Sequence, residues 1–524
     1  MSNNSPYKYI LAFVAIAVLV LAVLLFVSPA AIFPDPSWGF QVMRSMQKGG
    51  SFNHLISPDH GNIARNTAVF LSWWSPGQYL VPYFFIKLAG VNIGYATAIT
   101  ITLCQFIGLA GFYAFFRKGG FSPLVSALSL VFIIFQQAFF SPYIFYNGGE
   151  SLLFAFSGWF LYGCLALDKP DLKLVVFVLL SGLIGFICKS SFIWMYAAAL
   201  LFIWIRLCRG EKNILNWFIK GLWPGIPALI SIAAIYVFYL SKGGNPSSDS
   251  HGFKLSFDAL AYPLASPILA GFSADDLANG LVYHNDTAIL SPTVADVLLG
   301  LFAVLSVWLT YVIWKWLPHY AYKLLLILFY LVSIIFFGSA YLRQVDISYE
   351  ARHFRIIGLL ITPGVVYLIS RLRFGYRVAF AALAVFIAFF SLRFYSLSYI
   401  ALRTETARGP SGIAQQFIDQ PSLNYITALD KKNKDAIFVF LSPDLTLEIQ
   451  NNRVITMEAL NKDISIDFDE AVYKGHAGPL YILMPSDYIG IRANVLLKCF
   501  PGYKGFSLKE LSDDYVLYFA TQAR

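Results

Sequence analysis

Long apolar runs separated by short polar stretches fill the chain up to about residue 400 of its 524 residues. A transmembrane helix needs roughly twenty consecutive apolar residues. About eleven segments approach that length, namely residues 9–28, 94–116, 121–140, 150–167, 172–188, 190–207, 221–240, 296–314, 321–341, 355–371 and 378–398. This pattern predicts a polytopic α-helical membrane protein with about eleven transmembrane helices.

Basic residues concentrate in the short loops between alternate apolar runs. They include Arg117 and Lys118, Lys169 and Lys173, Arg206, Arg209 and Lys212, Lys315 and Lys323, and Arg371, Arg373 and Arg377. Because Lys and Arg favour cytoplasmic loops, we place these loops and the N-terminus in the cytoplasm. The other side then receives two long loops, 29–93 and 241–295, and an odd number of crossings puts the C-terminus there as well.

Outside the apolar runs, two regions have a pattern of their own. In the first long loop, residues 38–43 and 79–85 mix apolar and polar side chains, which indicates short helices in the membrane interface. Beyond residue 400 charge rises, and strand-like runs at 436–441, 480–484 and 515–520 alternate with helical patterns such as 488–500. We therefore predict a transmembrane domain over 1–399 and a small extracytoplasmic α/β domain over 400–524.

Composition supports a membrane protein and excludes several other classes. Hydrophobic residues make up 58% of the chain and charged residues 13%, about half the charged share of soluble domains. The net charge of +9 comes without a sustained Lys/Arg run, so no nucleic-acid partner is expected. The five cysteines form neither a disulfide framework nor a CxxC metal motif. We expect an integral protein of the plasma (inner) membrane.

Ionisable residues in or beside a membrane are costly, so they are candidates for function. Asp35 lies between Pro34 and Pro36, about seven residues past the first apolar run. A carboxylate held there can accept a proton or hold a metal. An Asp-Pro turn at the start of a loop explains the same residues equally well.

Four further candidate residues lie at the predicted outer ends of apolar runs or in the first long loop. Asp59 and His60 offer a second acidic contact in that loop, or form a solvated turn. Glu150 begins an apolar run, where the helix dipole favours an acid and where it can also face a cavity. Lys189 lies between two apolar runs, where it either snorkels to the interface or pairs with an anion.

A cationic cluster precedes the apolar run at 355–371 on the predicted outer side, against the usual distribution of positive charge. It comprises Arg343, Arg352, His353 and Arg355. Guanidinium forks match phosphate oxygens bidentately. An ion-pair network around Glu350 is the alternative.

The segment from residue 33 to residue 79 resembles the GT-C superfamily of membrane glycosyltransferases, which use polyprenyl-phosphate-linked sugars. Its members carry an acidic residue soon after helix 1, as Asp35 is here. They also have a Trp/Pro/Gly-rich stretch before helix 2, which here reads Ser72-Trp73-Trp74-Ser75-Pro76-Gly77-Gln78-Tyr79. The helix count, the topology and the terminal soluble domain are similar too. Pro36 stands where many members have a second carboxylate, so the metal ligands are unknown and a divalent metal stays an open question.

The resemblance implies roles for the candidates. Asp35 is the expected base, and Asp59 and His60 are further catalytic candidates. The expected donor-phosphate site comprises Lys189, Arg343, Arg352, His353 and Arg355. Glu150 and Glu350 are expected to complete the cavity.

The implied reaction moves a sugar from a polyprenyl-phosphate-linked donor to a lipid, glycan or protein acceptor. No cofactor is assigned with certainty. A flippase of lipid-linked sugars is one alternative, but the absence of an internal repeat disfavours it. A surface-polysaccharide polymerase or ligase is another, but its main outer loop comes late in the chain, whereas the long outer loops here are the first and the fourth.

Overall fold

The computed structural model describes residues 6–244, 250–282, 290–457, 459–460 and 471–523. The helices of this part of the chain are α1 Tyr7–Val27, α2 Pro34–Gln47, α3 Gly77–Ala89, α4 Ile93–Lys118, α5 Pro123–Ile134, α6 Gln137–Phe140, α7 Glu150–Ala166, α8 Leu172–Cys188, α9 Phe192–Leu207, α10 Ile214–Phe238, α11 Phe257–Gly271, α12 Ala274–Leu277, α13 Pro292–Trp316, α14 Tyr320–Leu342, α15 Arg355–Arg371, α16 Phe374–Thr404, α17 Gln420–Lys432 and α18 Ile491–Lys498. The strands are β1 His54–Pro58, β2 Asn66–Phe70, β3 Ile437–Phe440, β4 Arg453–Thr456, β5 Leu480–Pro485, β6 Tyr503–Lys504, β7 Ser507–Glu510, β8 Tyr515–Ala520 and β9 Gln522–Ala523.

The protein is an integral, multi-pass membrane protein. Within the described ranges, seven helices are long and apolar enough to cross a membrane, namely α1, α4, α10, α13, α14, α15 with the turn before it, and α16. The bent pair α5–α6 makes an eighth candidate, and α7, α8 and α9 are apolar but shorter. Every apolar segment predicted from the sequence coincides with one of these helices, while the number that crosses the membrane stays a prediction.

The break between α5 and α6 is a sharp one, with a bend of 77°. A break in a membrane helix frees backbone groups that need new partners, because lipid offers none. Here the Gln137 amide donates to Ser391 Oγ at 2.8 Å and the Ala138 amide donates to Ser273 Oγ at 2.9 Å. Two serine hydroxyls thus replace the missing helical acceptors.

The chain divides into two compact units. The helical unit comprises Met1–Val23, Ile101–Ile144 and Gly149–Leu397. The loop–sheet unit comprises Leu24–Thr100, Phe145–Gly148 and Ser398–Arg524. The first long loop therefore belongs to the same unit as the C-terminal segment. The predicted boundary after residue 399 falls inside α16 and stays a prediction.

A five-stranded sheet forms the centre of the C-terminal segment, in the order β4-β3-β5-β8-β7. β3 is parallel to β4 and β5, whereas β8 is antiparallel to β5 and β7. Side chains alternate across β3, so Ile437 and Val439 enter one apolar core and Phe438 and Phe440 enter the other. The predicted strands and the small α/β region are confirmed.

The two segments of the first loop predicted to be helical are indeed helices, α2 and α3. Pro34 occupies the first turn of α2, where its missing amide costs nothing. Near the other end of α2, the buried Arg44 donates from Nε to the Ile449 carbonyl at 2.8 Å and from Nη2 to the Asn452 carbonyl at 2.6 Å. The first loop and the sheet are therefore joined inside the loop–sheet unit by a buried guanidinium.

Candidate active site

One cleft of the helical unit is lined by ionisable side chains from parts of the chain that are far apart in sequence. Glu150 is the first residue of α7, and Lys189 lies in the turn between α8 and α9. Arg352 and His353 belong to the 3₁₀ turn Ala351–Phe354, and Arg355 begins α15. The fold thus brings together five of the residues selected from the sequence.

Glu150 and Lys189 form an ion pair across the cleft, with Lys189 Nζ donating to Glu150 Oε1. Their elements approach closely at Gly149, where an added Cβ would collide with the Cys188 carbonyl oxygen. Only glycine fits that contact, because real Cβ atoms essentially never come within 3.0 Å of another heavy atom. Gly149 is therefore a packing requirement of the pair.

Arg352 faces a second carboxylate in a forked arrangement. Its Nε lies 2.7 Å from Glu350 Oε2, and its Nη2 donates to Glu350 Oε1 at 3.1 Å. Ser348 Oγ also donates to Glu350 Oε1, at 2.6 Å, and lies 3.4 Å from Nε2 of His353. The ion pair at Glu350, which was the alternative to a phosphate site in the sequence analysis, is therefore present. Arg352 also lines the cleft.

Arg355 pairs with an acid that the sequence analysis missed. Its Nη2 lies 2.7 Å from each carboxylate oxygen of Asp276 in α12. Its Nε and Nη1 are buried and have no hydrogen-bond partner among the described residues. The adjacent acids at 275 and 276 are the only sequence signal, and nothing in the sequence indicates their partner.

Asp275, the neighbour of that acid, fixes the second long loop against the turn that carries Arg352. One of its oxygens accepts from the Tyr262 hydroxyl at 2.8 Å and from the Ala351 amide at 3.2 Å, and the other accepts from the Leu281 amide at 3.1 Å. Burial, with a contribution from the charge of Asp276, raises the pKa of Asp275 to about 6. The arginines thus sit on a fixed backbone.

The cleft combines paired charges, unused polar atoms and apolar walls. Besides the two free nitrogens of Arg355, Glu150 Oε2 is buried without a hydrogen-bond partner among the described residues. The space measures about 370 Å³ including its open mouth. Its apolar lining consists of Leu153, Phe154, Met195, Ile356 and Leu359. The arrangement suits a ligand with an anionic group and an apolar portion.

Arg343 lies elsewhere. It caps the C-terminus of α14, its side chain is exposed, and its carbonyl accepts from Ser250 Oγ at 2.8 Å. It is not among the described residues that line the cleft. Its assignment to a phosphate site stays a prediction.

Asp35 belongs to the loop–sheet unit, in the first turn of α2. The Tyr146 hydroxyl donates to Asp35 Oδ2 at 3.4 Å. The Tyr146 ring packs on Phe33 at 5.3 Å between centroids, and the side-chain amide of Asn147 donates to the Ala31 carbonyl at 2.6 Å. Segment 145–148 and the start of α2 therefore hold this carboxylate between them.

Asp59 and His60 lie in the connection between β1 and β2. Asp59 Oδ1 accepts from the Asn62 amide, three residues on, at 3.0 Å. The His60 ring stacks on Tyr473 at 4.1 Å, and its carbonyl accepts from the Lys474 amide at 2.8 Å. These contacts attach the β1–β2 connection to the C-terminal segment. A catalytic role for either residue stays a prediction.

The side chains that could ligate a metal are dispersed. Among the described residues, no three His, Cys, Asp or Glu side chains are grouped so that they could hold a metal ion. Pro36 follows Asp35, so the position next to it offers no second carboxylate. The donor set of the described residues does not fit a metal held by the protein alone.

No protein-family model matches the sequence, and no curated protein matches it. Solved structures do. ArnT from Cupriavidus metallidurans superimposes with a TM-score of 0.53 at 12% identity, over 98% of each chain. The oligosaccharyltransferase of Archaeoglobus fulgidus gives 0.50 at 11% identity, over 96% of this chain and 74% of its own.

The arabinofuranosyltransferase AftD from Mycobacteria also matches, with a TM-score of 0.50 at 16% identity over the whole of this chain. This chain spans only 42% of the length of AftD. At such identities the likeness establishes the fold. That fold is the one of the GT-C membrane glycosyltransferases, which confirms the resemblance seen in the sequence.

Proposed function

We propose that this protein is a membrane glycosyltransferase that transfers a sugar from a polyprenyl-phosphate-linked donor to an acceptor on the extracytoplasmic face. The observation that carries the proposal is the cleft of the helical unit, where Lys189, Arg352 and Arg355 line one space with apolar walls. A lipid phosphate needs both features, because its charge must be met at the edge of the hydrocarbon.

The donor phosphate is the group that these cations fit. Arg355 Nε and Nη1, which have no partner among the described residues, can each donate a charge-assisted hydrogen bond to a phosphate oxygen. The apolar lining suits the first isoprene units of the tail. Among the structural relatives, the Archaeoglobus fulgidus oligosaccharyltransferase AglB has been solved with a dolichol-phosphate and an inhibitory peptide.

In the proposed reaction, the acceptor nucleophile attacks the anomeric carbon and the bond between that carbon and the phosphate oxygen breaks. The bonding electrons go to the phosphate oxygen, where Lys189, Arg352 and Arg355 stabilise the developing charge. The proton of the acceptor goes to Asp35, acting as general base. Asp35 is our choice over Asp59 and His60, because the contacts of those two residues are those of a structural turn.

We also propose the membrane topology predicted from the sequence, with eleven crossings, a cytoplasmic N-terminus and an extracytoplasmic C-terminal segment. Reporter fusions after Arg117 and after Phe440 test it. The two fusions should report opposite sides of the membrane. A common side would contradict the topology and, with it, the extracytoplasmic reaction.

The decisive experiment measures transfer of radiolabelled sugar from a polyprenyl phosphate to lipid, glycan and protein acceptors in membranes containing this chain. We expect label in one acceptor class, and we expect Arg355→Ala to reduce the transfer. The matched control is Arg371→Ala, at the exposed end of α15. Movement of the labelled lipid across vesicles without transfer would support a flippase instead.

A further inference from the structure

Glu150 has one carboxylate oxygen that the phosphate site does not explain. Oε1 accepts from Lys189, whereas Oε2 is buried and has no hydrogen-bond partner among the described residues. The residue is 4% exposed and lines the cleft together with the three cations. A buried acceptor without a partner is costly, so a ligand group in the cleft that donates to Oε2 would be favoured.

A phosphate is not that ligand group. Phosphate oxygens in a diester carry negative charge and have no proton to donate, so they are repelled by a carboxylate oxygen. The arrangement therefore has two chemically different parts. The free nitrogens of Arg355 only donate, while the free oxygen of Glu150 only accepts.

A sugar phosphate presents both kinds of group within a few bonds. Its phosphate oxygens accept hydrogen bonds, and the hydroxyl or amino group on the carbon next to the anomeric centre donates them. We infer that Glu150 Oε2 accepts a hydrogen bond from a hydroxyl or amino group of the donor sugar, so that Glu150 is a specificity-determining residue. This inference rests on the proposed function, because it assumes that the cleft binds the donor.

The ion pair with Lys189 adds a second consequence. A carboxylate whose other oxygen is tied to a cation is held in place before the sugar arrives, so little ordering cost remains on binding. Neutralising Glu150 also frees Lys189 for the phosphate. A sugar-free lipid phosphate should then bind as well as before, or better, while a sugar-bearing one loses a contact.

The test uses the full-length protein in lipid nanodiscs and compares wild type with Glu150→Gln. The probes are farnesyl phosphate, farnesyl phosphates carrying a pentose, a hexose or an amino sugar, and the 2-deoxy form of each. In wild type, at least one sugar-bearing probe should bind more tightly than its 2-deoxy form by about tenfold or more, the effect of one hydrogen bond to a charged group. In Glu150→Gln that discrimination should largely disappear, while the affinity for farnesyl phosphate stays or rises.

Glu350→Gln is the matched control, because Glu350 is already engaged by Arg352 and Ser348. It should alter the affinity for all probes by a common factor. The coupling between Glu150 and the hydroxyl is read from the double-mutant cycle of enzyme variant and deoxy probe. If wild type does not distinguish any probe from its 2-deoxy form, the inference is wrong whether or not the variant folds.

The remaining outcomes separate the inference from the proposed function. A Glu150→Gln protein that loses affinity for farnesyl phosphate and for sugar-bearing probes by the same factor shows that Glu150 serves only as the partner of Lys189. Failure of wild type to bind farnesyl phosphate at all overturns the donor site itself, and the inference with it. Selective loss with the amino-sugar probe identifies an amine, and selective loss with the others identifies a hydroxyl.

Discussion

The two units bury charge in different ways. In the loop–sheet unit, buried Arg44 donates to two backbone carbonyls, and buried Asp430 accepts from the backbone amides of residues 450–452. In the helical unit, the cations of the cleft face side-chain carboxylates. The pairs are Lys189 with Glu150, Arg352 with Glu350, and Arg355 with Asp276.

The difference separates charge used for architecture from charge available to a ligand. A backbone carbonyl stays in place as long as the fold does, so Arg44 acts as a fixed cross-link between α2 and the C-terminal segment. A side-chain pair can rearrange by rotamer changes, and the cleft has atoms on Glu150 and Arg355 that find no partner within the described part of the chain. We therefore expect substitutions in the cleft to affect donor use, and substitutions at Arg44 to affect stability.

Asp35→Asn should have the largest effect on sugar transfer, because this carboxylate of the loop–sheet unit is the proposed general base. Asp35→Asn should leave protein abundance intact and lower sugar transfer by roughly 100- to 10,000-fold, as expected for the loss of a positioned general base. The measurement is the transfer rate at saturating donor. Asp59→Asn is the comparison and should lose far less. Normal activity in Asp35→Asn would show that this residue has a purely structural role at the start of α2.

Arg44→Ala should destabilise the loop–sheet unit by roughly 3 to 5 kcal/mol. It removes two charge-assisted hydrogen bonds, takes the Arg44 donor from the buried Ile449 carbonyl, and leaves the Asn452 carbonyl with Lys48 as its donor. Denaturant-dependent proteolysis of the C-terminal segment measures the change. The exposed Arg65 provides the control variant Arg65→Ala. Equal stability of the two variants would mean that the guanidinium is not the cross-link.

Asp444 gives a pH-dependent effect of about 2 to 3 kcal/mol. Burial raises its pKa from 3.8 to about 6, and one pKa unit corresponds to about 1.4 kcal/mol. A raised pKa means that the folded state favours the protonated carboxyl group. The contribution of Asp444 to the free energy of unfolding is therefore fully present below about pH 4 and is lost as the pH rises to about 6.

The matching experiment compares the free energy of unfolding of the C-terminal segment at pH 4 and pH 6.5. The wild-type decrease over this window should exceed that of Asp444→Asn by about 2 to 3 kcal/mol, while the exposed-site variant Asp513→Asn should follow wild type. Parallel pH profiles for all three proteins would contradict the shifted pKa.

The smallest effect is expected from a substitution that keeps the charge. Arg352→Lys removes the forked contact with Glu350 and should weaken donor use by about tenfold, because an ammonium group cannot reproduce the planar fork. Arg371→Lys, at the other end of α15, should leave donor use unchanged. Similar behaviour of the two variants would make Arg352 a simple structural partner of Glu350.

The sequence predicted the helices well, because each long apolar run has to be buried in lipid or protein whatever the fold. The short strands 437–440 and 480–485 could also be predicted, since their side chains are buried on both faces of the sheet. The broken helix at Gln137 could not. Its amide partner is a serine 254 residues away, and no local pattern indicates such a contact.

The same limit applies to the site. Lys189, Arg352 and Arg355 stood out because charge is rare near apolar runs, so the cost of burying it was visible in the sequence. Asp276 did not stand out, because its importance comes from its contact with Arg355 across the fold. The role of Arg44 was hidden for another reason. Its acceptors are backbone carbonyls, which every residue possesses.

The serine-supported break between α5 and α6 has a consequence for biosynthesis. The Ala138 amide acquires its acceptor only after 135 further residues have left the ribosome, and the Gln137 amide waits for 254. This segment therefore reaches its final conformation only once nearly the whole helical unit has been synthesised. Because an unpaired amide in lipid costs several kcal/mol, we expect the two amides to have other acceptors until Ser273 and Ser391 have been added.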